Sequence, residues 1–585
     1  MELPLQGFAL SGESFRAIRK TNLLYVDKTK YIYDLIGPSR CIFLSRPLRF
    51  GKSLLLATMT ELFKGNRELF EGLWINSSDY SFEKYPIVHL NLTGTLNNEE
   101  VITEKELDKS ISIQLQIAAM NNGLPKMEGD NSSNILRYLI NTLYLKTHKE
   151  IVFLIDEYDS PIREEFGNID QARKNSKVLH AFYSTLKSLS DLGLLHFLFV
   201  TGIAKLDQAS IFTVFNNLHD ISLDSKYNGI CGFTPDEFDT YFKNYLHDIL
   251  AIYKEDNKFD PSYSIDVLKD VIFNYYDGYS WDGVNRVLNP YSLISFFAAK
   301  KFSKFWYYTA TPIIIFQHIM LHPYEFINFN DYILNDDKLG AVDMHHMKLE
   351  TLLFRTGYLT IDHKIKKEYL PTKDPTKLDL KIFDEEYRLK IPNFEVKDAF
   401  KVQFFEYLTL NMDKDDAPVL ASNIRYALSN FDSTLLANSF SQILTAVTYQ
   451  HQPDKESYHH AIIAVALITM DFNFTSEVSA PEGIYDFQIE LPPNLVFIGE
   501  FKYAKLDKVP QFDLERHKQE RLDAMAQLAQ DQIIKKRYAK KYFKNGIIVK
   551  CLAVGIVGKT DVGVKFFDRP REWELIYAND APLKG

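Results

Sequence analysis

Gly51, Lys52 and Ser53 have the residue types and the spacing of a phosphate-binding loop. Such a loop needs backbone N–H groups at a helix start, a lysine for the β- and γ-phosphates and a hydroxyl for Mg²⁺. Arg46 stands where the usual pattern has its first glycine, and either Arg46 or Arg49 can add positive charge to the phosphate site. We therefore predict that these five residues bind a nucleoside triphosphate. The competing interpretation is an ordinary turn at the start of a helix.

A second motif supplies the acidic side chains that nucleotide hydrolysis requires. The apolar run Ile151–Ile155 ends in Asp156 and Glu157, at the carboxyl end of a predicted strand, where open α/β sheets bind ligands. We predict that Asp156 holds Mg²⁺ through water and that Glu157 deprotonates the attacking water. A third predicted strand ends in Thr201, which can sense the γ-phosphate or cap the next helix. The competing interpretation is that Asp156 and Glu157 form an ordinary solvated turn after the strand.

A carboxylate–lysine group lies near the C-terminus. Asp486 precedes a Pro-Pro-Asn turn, and Glu500 and Lys502 follow it on the second arm of a predicted hairpin. Because side chains alternate along a strand, Glu500 and Lys502 share a face that Asp486 can meet. Two carboxylates can hold Mg²⁺ for phosphodiester hydrolysis, and Lys502 can stabilise developing charge, with Glu456 completing the set from an upstream helix. Many exposed hairpins carry such residues without any metal.

The elements that position these residues follow from the apolar patterning. Short buried runs alternate with helical stretches in the first part of the chain, which predicts a mostly parallel α/β sheet. Beyond about residue 225 the pattern becomes helical, and a helix at Met347–Phe354 followed by short strands predicts a winged-helix-like module. The short strands are predicted at Gly357–Asp362, Ile365–Leu370 and Leu378–Phe383. The predicted strands of the first sheet include Cys41–Leu44, Pro86–Leu92, Ile151–Ile155 and His196–Val200.

The composition is that of a folded multidomain protein, with 585 residues of which 46% are hydrophobic and 25% charged. Its three cysteines lie far apart in the sequence, which argues against a disulfide framework or zinc site and favours a reducing cytoplasm. We find neither a signal peptide nor an apolar run of about 18 residues, so we expect no membrane contact. The net charge of −10 argues against indiscriminate coating of nucleic acid but permits a local basic face.

The sequence resembles the bacterial AAA-ATPase-like proteins that join a P-loop ATPase to a C-terminal nuclease-like domain. The resemblance covers nearly the whole chain and makes the arginine at position 46 a family trait. It implies a P-loop ATPase of the additional-strand class, and leaves the roles of Asp27, Lys28 and Asn217 open. The matching segments are Tyr25–Thr29, Arg46–Ser53, Ile155–Asp159, Thr201–Gly202, Ser210–Asp220, Ile230–Thr234, Tyr276–Tyr279, Asn289–Ser292, Thr356–Leu359 and Pro392–Val396.

The C-terminal residues are also similar to those of the PD-(D/E)xK nuclease superfamily. That pattern has a helical Glu, Tyr-His, Gly-x-x-Asp, Glu-x-Lys and a later Gln-Ile, and this chain has each element. It departs from the pattern after Gly483, where an Arg or Ala is more usual, but no ligand is lost. The matching residues are Glu456, Tyr458, His459, Gly483, Asp486, Glu500, Lys502, Gln532 and Ile533.

The sequence thus predicts an ATP- and Mg²⁺-dependent enzyme that acts on DNA, with an ATPase and a nuclease activity. The domains are a P-loop AAA-like ATPase (1–225), a helical lid (226–325), a winged-helix-like connector (326–420) and an α/β restriction-endonuclease-like domain (421–585). A homo-oligomer is compatible with the sequence, and a neighbouring subunit can then supply an arginine finger. Two alternatives stay open. One is a nucleotide switch whose C-terminal domain binds DNA or a protein without cutting, and the other is a partner-binding protein with a degenerate ATP site.

Overall fold

The chain divides into two compact units, Met1–Ile314 with Asn330–Asp398 and Ile315–Phe329 with Ala399–Gly585. Among the described residues, no helix is both long and apolar enough to cross a membrane. The computed structural model describes residues 5–10, 12–37, 40–93, 103–165, 168–205, 211–215, 217–255, 260, 262–306, 313–323, 326, 332–335, 339, 348–369, 382–410, 412, 417–447, 455–480, 483–506, 513–538 and 547–568.

A five-stranded parallel sheet forms the centre of the first unit, in the order β2-β3-β4-β1-β5. β1 and β3 are buried along their whole length, as expected for apolar runs covered by helices on both faces. β4 lies between β1, which leads into the predicted phosphate-binding loop, and β3, which ends in the acidic pair. It is the additional strand that the resemblance implied. The strands are β1 (Cys41–Ser45), β2 (Ile87–Asn91), β3 (Ile151–Asp156), β4 (Leu195–Gly202) and β5 (His219–Asp220).

Helices flank this sheet, and several of them begin at a side-chain cap. Thr103 and Glu106 form a reciprocal capping box at the start of the helix Glu104–Asn121, which packs against β2. The apolar face of that helix, including Leu107 and Ile111, joins the main core cluster. The helices are α1 (Phe15–Lys20), α2 (Thr29–Ile36), α3 (Lys52–Phe63), α4 (Glu104–Asn121), α5 (Ser132–Thr147), α6 (Ser160–Arg163), α7 (Ile169–Asp191) and α8 (Ile211–Val214).

The helical region that follows is built around aromatic side chains such as Phe238, Phe242 and Phe297. A single helix is expected over Pro235–Tyr253, but the structure interrupts it with a 3-10 turn at Lys243–Tyr245. Its helices are α9 (Pro235–Tyr241), α10 (Leu246–Glu255), α11 (Ile265–Tyr276) and α12 (Pro290–Ala299).

A three-stranded antiparallel sheet, in the order β6-β8-β7, follows in the same unit. Two separate short strands are expected between Gly357 and Leu370, but they form one continuous strand that pairs along its length with β8. Residues 371–375, which separate the second and third of the predicted short strands, lie outside the described residues, and the winged-helix assignment stays a prediction. The elements are β6 (Ile333–Asn335), α14 (Leu349–Thr356), β7 (Thr360–Tyr369) and β8 (Ile382–Lys390).

The second unit contains a mixed sheet in the order β13-β12-β11-β10-β9, in which only β11 and β12 run parallel. This mixed α/β arrangement fits the predicted restriction-endonuclease-like fold. The strands are β9 (Asn473–Ala480), β10 (Gly483–Leu491), β11 (Leu495–Ala504), β12 (Ile548–Val557) and β13 (Asp561–Asp568). The remaining helices are α13 (Ile313–Leu321), α15 (Phe394–Leu408), α16 (Leu420–Asn430), α17 (Ser433–Ala446), α18 (Glu456–Thr469) and α19 (Leu514–Lys536).

Candidate nucleotide site and candidate nuclease site

The predicted phosphate-binding loop joins β1 to α3 at the carboxyl edge of the parallel sheet. Arg49 and Gly51 both have left-handed backbone angles, with φ of 68° and 90°, and glycine adopts this region without steric cost. Gly51 and Ser53 are exposed at the start of α3. The Arg49 guanidinium lies 5.0 Å from the ring centre of Tyr291 on α12. The loop borders a cleft of about 640 Å³, which has room for a nucleotide.

Lys52 and Glu157 meet at the floor of this cleft. The Lys52 ammonium lies 3.0 Å from Glu157 Oε1, and both side chains are nearly buried, at 4% and 8% exposed. The same ammonium donates to the carbonyl oxygens of Arg46 and Pro47, at 2.9 and 3.1 Å. The tertiary fold therefore brings the predicted lysine and the predicted base together, although 105 positions separate them in the chain.

Asp156 and Thr201 are neighbours on adjacent strands. The Thr201 hydroxyl donates to Asp156 Oδ1 at 2.6 Å, and both side chains are buried. Thr201 therefore orients the carboxylate predicted to hold Mg²⁺. This contact favours neither of the two roles expected for Thr201, which were sensing the γ-phosphate and capping a helix.

The structure contradicts one predicted role of Arg46, in which its side chain adds charge to the phosphate site. The guanidinium is buried and donates to the carbonyl oxygens of Ser45 and Ser222, at 2.8 and 2.7 Å. It also lies 4.6 Å from the Trp281 ring centre. Burial lowers the pKa of Arg46 to about 10. The side chain connects the loop to the segment after β5 through the Ser222 carbonyl, and it packs on the Trp281 ring between α11 and α12.

Arg163, on the short helix α6, is a site residue that the sequence analysis missed. Its guanidinium lies 3.1 Å from Glu157 Oε2 and 3.2 Å from Asp159 Oδ1. Burial favours the neutral acid at Glu157, but the Lys52 and Arg163 cations outweigh it, so the pKa of Glu157 lies below its ordinary value. The feature of the sequence that could have identified Arg163 is its position, four residues after Asp159 and close to the end of a predicted strand.

Asp27 and Lys28 connect segments of the chain that lie around the cleft. Asp27 accepts hydrogen bonds from the backbone N–H groups of Thr29 and Trp74, at 2.8 and 2.6 Å. The Lys28 ammonium lies 2.6 Å from the Glu237 carboxylate on α9. This ion pair joins the N-terminal segment to the helical region.

In the second unit, Asp486 on β10 and Glu500 on β11 face each other. Asp486 Oδ2 accepts a hydrogen bond from the Phe501 backbone N–H at 2.7 Å. Glu500 is fully buried, and within the described part of the chain neither of its carboxylate oxygens has a hydrogen-bond donor. Burial and the nearby Asp486 charge together raise the pKa of Glu500 to about 8. Two adjacent carboxylates with spare oxygens are a donor set that fits Mg²⁺.

Lys502 and Glu456 lie beside this acidic pair. The Lys502 ammonium is 3.8 Å from Glu500 Oε2 and 3.5 Å from Glu456 Oε1. Glu456 Oε2 accepts from the Tyr503 backbone N–H at 3.0 Å. Within the described ranges, no three His, Cys, Asp or Glu side chains converge on a metal position. The role of Glu456 as a further metal ligand stays a prediction, and in this structure its oxygens contact the end of β11 and Lys502.

Tyr538, just after α19, is a further residue at this site that the sequence analysis missed. Burial, together with the nearby Glu500 and Asp486 charges, raises the pKa of the Tyr538 phenol to about 12. The Gln532 amide lies 3.5 Å from the phenol oxygen, so the predicted Gln-Ile pair reaches the site through this tyrosine. His459 stacks on Tyr503, with the ring centres 4.9 Å apart.

Comparison with known proteins gives the class of each unit. Residues 10–212 match the family described as "Predicted AAA-ATPase", and residues 454–566 match the PD-(D/E)XK nuclease superfamily. The chain thus carries an AAA-ATPase-like domain and a PD-(D/E)XK nuclease superfamily domain, as the resemblance predicted. It is also 28% identical over 557 residues to an Azotobacter chroococcum mcd 1 protein described as "Uncharacterized protein in vnfD 5'region". That match covers 93% of this chain and 95% of the relative.

Proposed function

We propose that this protein binds and hydrolyses ATP in the cleft beside the β1–α3 loop and that its C-terminal domain hydrolyses DNA phosphodiester bonds with Mg²⁺. The observation that carries the first activity is the contact between Lys52 and Glu157 at the cleft floor. A phosphate-binding lysine and a candidate base converge there from two separate motifs. An ordinary turn does not require this arrangement.

The cleft residues have distinct roles in the proposed ATP hydrolysis. Backbone N–H groups at Gly51 and the ammonium of Lys52 bind the phosphates, and Ser53 and Asp156 hold Mg²⁺. Mg²⁺ neutralises phosphate charge when it is bound. Nucleotide phosphates compete with Glu157 for Lys52. The loss of this cation from Glu157 raises its pKa and makes it a stronger base for the attacking water.

The C-terminal site is proposed to cut DNA with the residues that face one another across β10 and β11. Asp486 and Glu500 hold Mg²⁺, which supplies activated water and polarises the phosphodiester when bound. Lys502 is close enough to position that water and to stabilise negative charge on the phosphate. The fully buried Glu500 carboxylate supports this role, because neither of its oxygens meets a donor at hydrogen-bond distance among the described residues and the Lys502 ammonium lies 3.8 Å away.

Nucleotide binding and turnover test the first activity. Lys52→Ala removes the ammonium that binds the phosphates, so ATP binding and hydrolysis are both expected to fall strongly. Lys64→Ala is the matched control, since Lys64 is a half-exposed lysine at the end of the same helix and pairs with Glu61. Equal ATP binding by wild type and Lys52→Ala would reject the site and favour the degenerate-site alternative.

DNA cleavage tests the second activity. Plasmid and single-stranded DNA are incubated with Mg²⁺, with and without ATP, using wild type, Lys52→Ala and Glu500→Ala. Cutting that requires Glu500 and changes with ATP or Lys52 supports an ATP-controlled nuclease. Cutting that persists in Glu500→Ala contradicts the proposed metal site.

A nucleotide switch that does not cut DNA is the second candidate function. It is favoured by the observation that Glu456 is engaged by Lys502 and the Tyr503 N–H, which leaves two carboxylates for the metal. The same cleavage experiment separates the two functions. ATP turnover without cleavage of any DNA, together with unchanged turnover in Glu500→Ala, would favour the switch.

A further inference from the structure

Glu157 lies between two cations that approach different oxygens. Lys52 is 3.0 Å from Oε1, and Arg163 is 3.1 Å from Oε2. The Arg163 side chain is 20% exposed and borders the same cleft as Lys52 and Ser53. Arg163 is therefore a cation close to the phosphate-binding lysine on the same chain, and the roles proposed above do not use it.

The charges at this site must rearrange when nucleotide binds. A triphosphate attracts Lys52 away from Glu157, because its oxygens carry more charge than one carboxylate. If Glu157 then kept Arg163, it would remain a weak base, since a paired cation stabilises the ionised form. Productive hydrolysis therefore requires that Arg163 also leave Glu157. The strongest new anion in the cleft is the terminal phosphate.

Asp159 provides the anchor that keeps Arg163 in place during this exchange. Its carboxylate accepts hydrogen bonds from the backbone N–H groups of Ile203 and Ala204, each at 3.1 Å to Oδ2. Arg163 lies 3.2 Å from Asp159 Oδ1. Asp159 is fully buried and tied to the end of β4, so it holds Arg163 beside the cleft when the contact with Glu157 is lost.

We propose that Arg163 is the arginine this protein uses in cis for ATP hydrolysis, holding Glu157 before nucleotide binds and contacting the terminal phosphate afterwards. In the step, a water oxygen bonds to the γ-phosphorus as the bond to the β–γ bridging oxygen breaks. Glu157 takes the water proton, and the electron pair stays on ADP. Arg163 stabilises the charge on the transferred phosphoryl oxygens. This inference rests on the proposed ATPase function and makes an arginine from a neighbouring subunit unnecessary.

Kinetics and transition-state trapping test this role together. Arg163→Ala should lower kcat by about 100-fold or more, with ATP affinity changed by only about threefold. ADP with aluminium fluoride, a mimic of the transferred phosphoryl group, should form a tight complex with wild type but not with the variant. Arg173→Ala is the matched control, because Arg173 is an exposed arginine on the next helix that pairs with Asp170.

Mixing two defective variants separates an arginine in cis from one in trans. Lys52→Ala retains Arg163, and Arg163→Ala retains Lys52, so a mixed assembly regains turnover only if the arginine crosses between subunits. We expect no recovery at any protein concentration. Recovery, or turnover in Arg163→Ala equal to or above that of wild type, would overturn the proposal.

The experiments also separate a failure of the proposed ATPase function from a variant that does not fold. If wild type itself fails to hydrolyse ATP and fails to trap ADP with aluminium fluoride, the proposed ATPase function fails, and the cis arginine fails with it. If Arg163→Ala does not fold, Arg163→Lys retains the charge but not the planar guanidinium. That variant should bind ATP while losing most turnover, and full turnover would contradict the proposal.

Discussion

The two candidate sites place a buried glutamate in opposite electrostatic surroundings. Glu157 lies between two cations, and the pKa of its carboxyl is lowered. Glu500 faces another carboxylate, with its nearest ammonium at 3.8 Å, and burial together with Asp486 raises its pKa to about 8. At the first site, Lys52 and Arg163 already balance the charge of Glu157, so nucleotide binding must replace these ion pairs. At the second site, two carboxyl groups lie side by side, and a divalent cation from solution would stabilise them in their ionised form.

Because of this difference, we expect the first site to bind an anion and the second to bind a metal cation. A site already filled with internal ion pairs gains little from a free metal ion and responds to an anion that competes for its lysine. A site with two carboxylates and spare oxygens gains most from a divalent cation. Selective changes at the two glutamates should therefore separate nucleotide responses from metal responses.

The largest expected effect is at Glu157. Glu157→Gln keeps the shape of the side chain but removes the base, so kcat for ATP should fall by about 10²- to 10⁴-fold. ATP affinity should be unchanged or higher, since the amide competes less well with phosphate for Lys52. Steady-state kinetics and equilibrium ATP binding measure both effects. Glu164→Gln, an exposed residue at the rim of the same cleft, is the control. Comparable kcat in wild type and Glu157→Gln would remove the base from the mechanism.

A second large effect is expected at Glu500, on metal binding. Mg²⁺ should raise the thermal unfolding temperature of wild type, because it neutralises the adjacent carboxylates in the folded state only. Glu500→Gln should abolish that increase, and above pH 8, where the Glu500 carboxyl is ionised, it should also raise the Mg²⁺-free unfolding temperature, since a buried charge is removed. Thermal unfolding with and without Mg²⁺ measures both. An undiminished Mg²⁺ effect in the variant would show that the ion binds elsewhere.

A third glutamate, Glu395 on α15, extends this comparison because a backbone N–H group donates to its carboxylate. It is buried and accepts from the Trp306 N–H at 2.9 Å, and burial raises its pKa to about 7 from 4.5. A raised acid pKa means that its contribution to stability is complete below pH 4.5 and is lost as the pH rises through 7.

Glu395→Gln should therefore flatten the decline in stability between pH 5 and pH 8. The difference between wild type and variant should grow by about 3 kcal/mol at most over that range. Urea unfolding at both pH values measures it, with Glu406→Gln, an exposed residue on the same helix, as the control. Parallel pH dependence of wild type and Glu395→Gln would mean that the carboxyl titrates normally.

The smallest effect is expected at Thr201. Thr201→Val removes the hydrogen bond to Asp156 at nearly constant volume. The free energy of unfolding should fall by about 1 kcal/mol, and ATP turnover by about tenfold, because Asp156 loses its orientation. Unfolding and kinetic assays check this, with Thr185→Val on α7 as a control that removes only a hydrogen bond to the helix backbone. A variant with wild-type turnover would show that Asp156 needs no such support.

Much of the fold could be predicted because local patterns determine it. The buried strands β1 and β3 are continuous apolar runs, and α3 begins where glycine and lysine follow such a run. The edge strands β9 and β13 were not recognised, since half-exposed strands carry a weaker apolar signal. The continuous strand β7 depends on pairing with β8, which no local pattern reports.

The candidate site residues were identified by type, whereas their partners were decided by tertiary structure. The sequence by itself determined the loop, the acidic strand end and the carboxylate–lysine hairpin, because each is a short run with fixed spacing. Only the tertiary structure placed Arg163 on Glu157, drew the Arg46 side chain into the interior and turned Glu456 toward Lys502. A long side chain can reach several groups, and burial and the nearest opposite charge select among them.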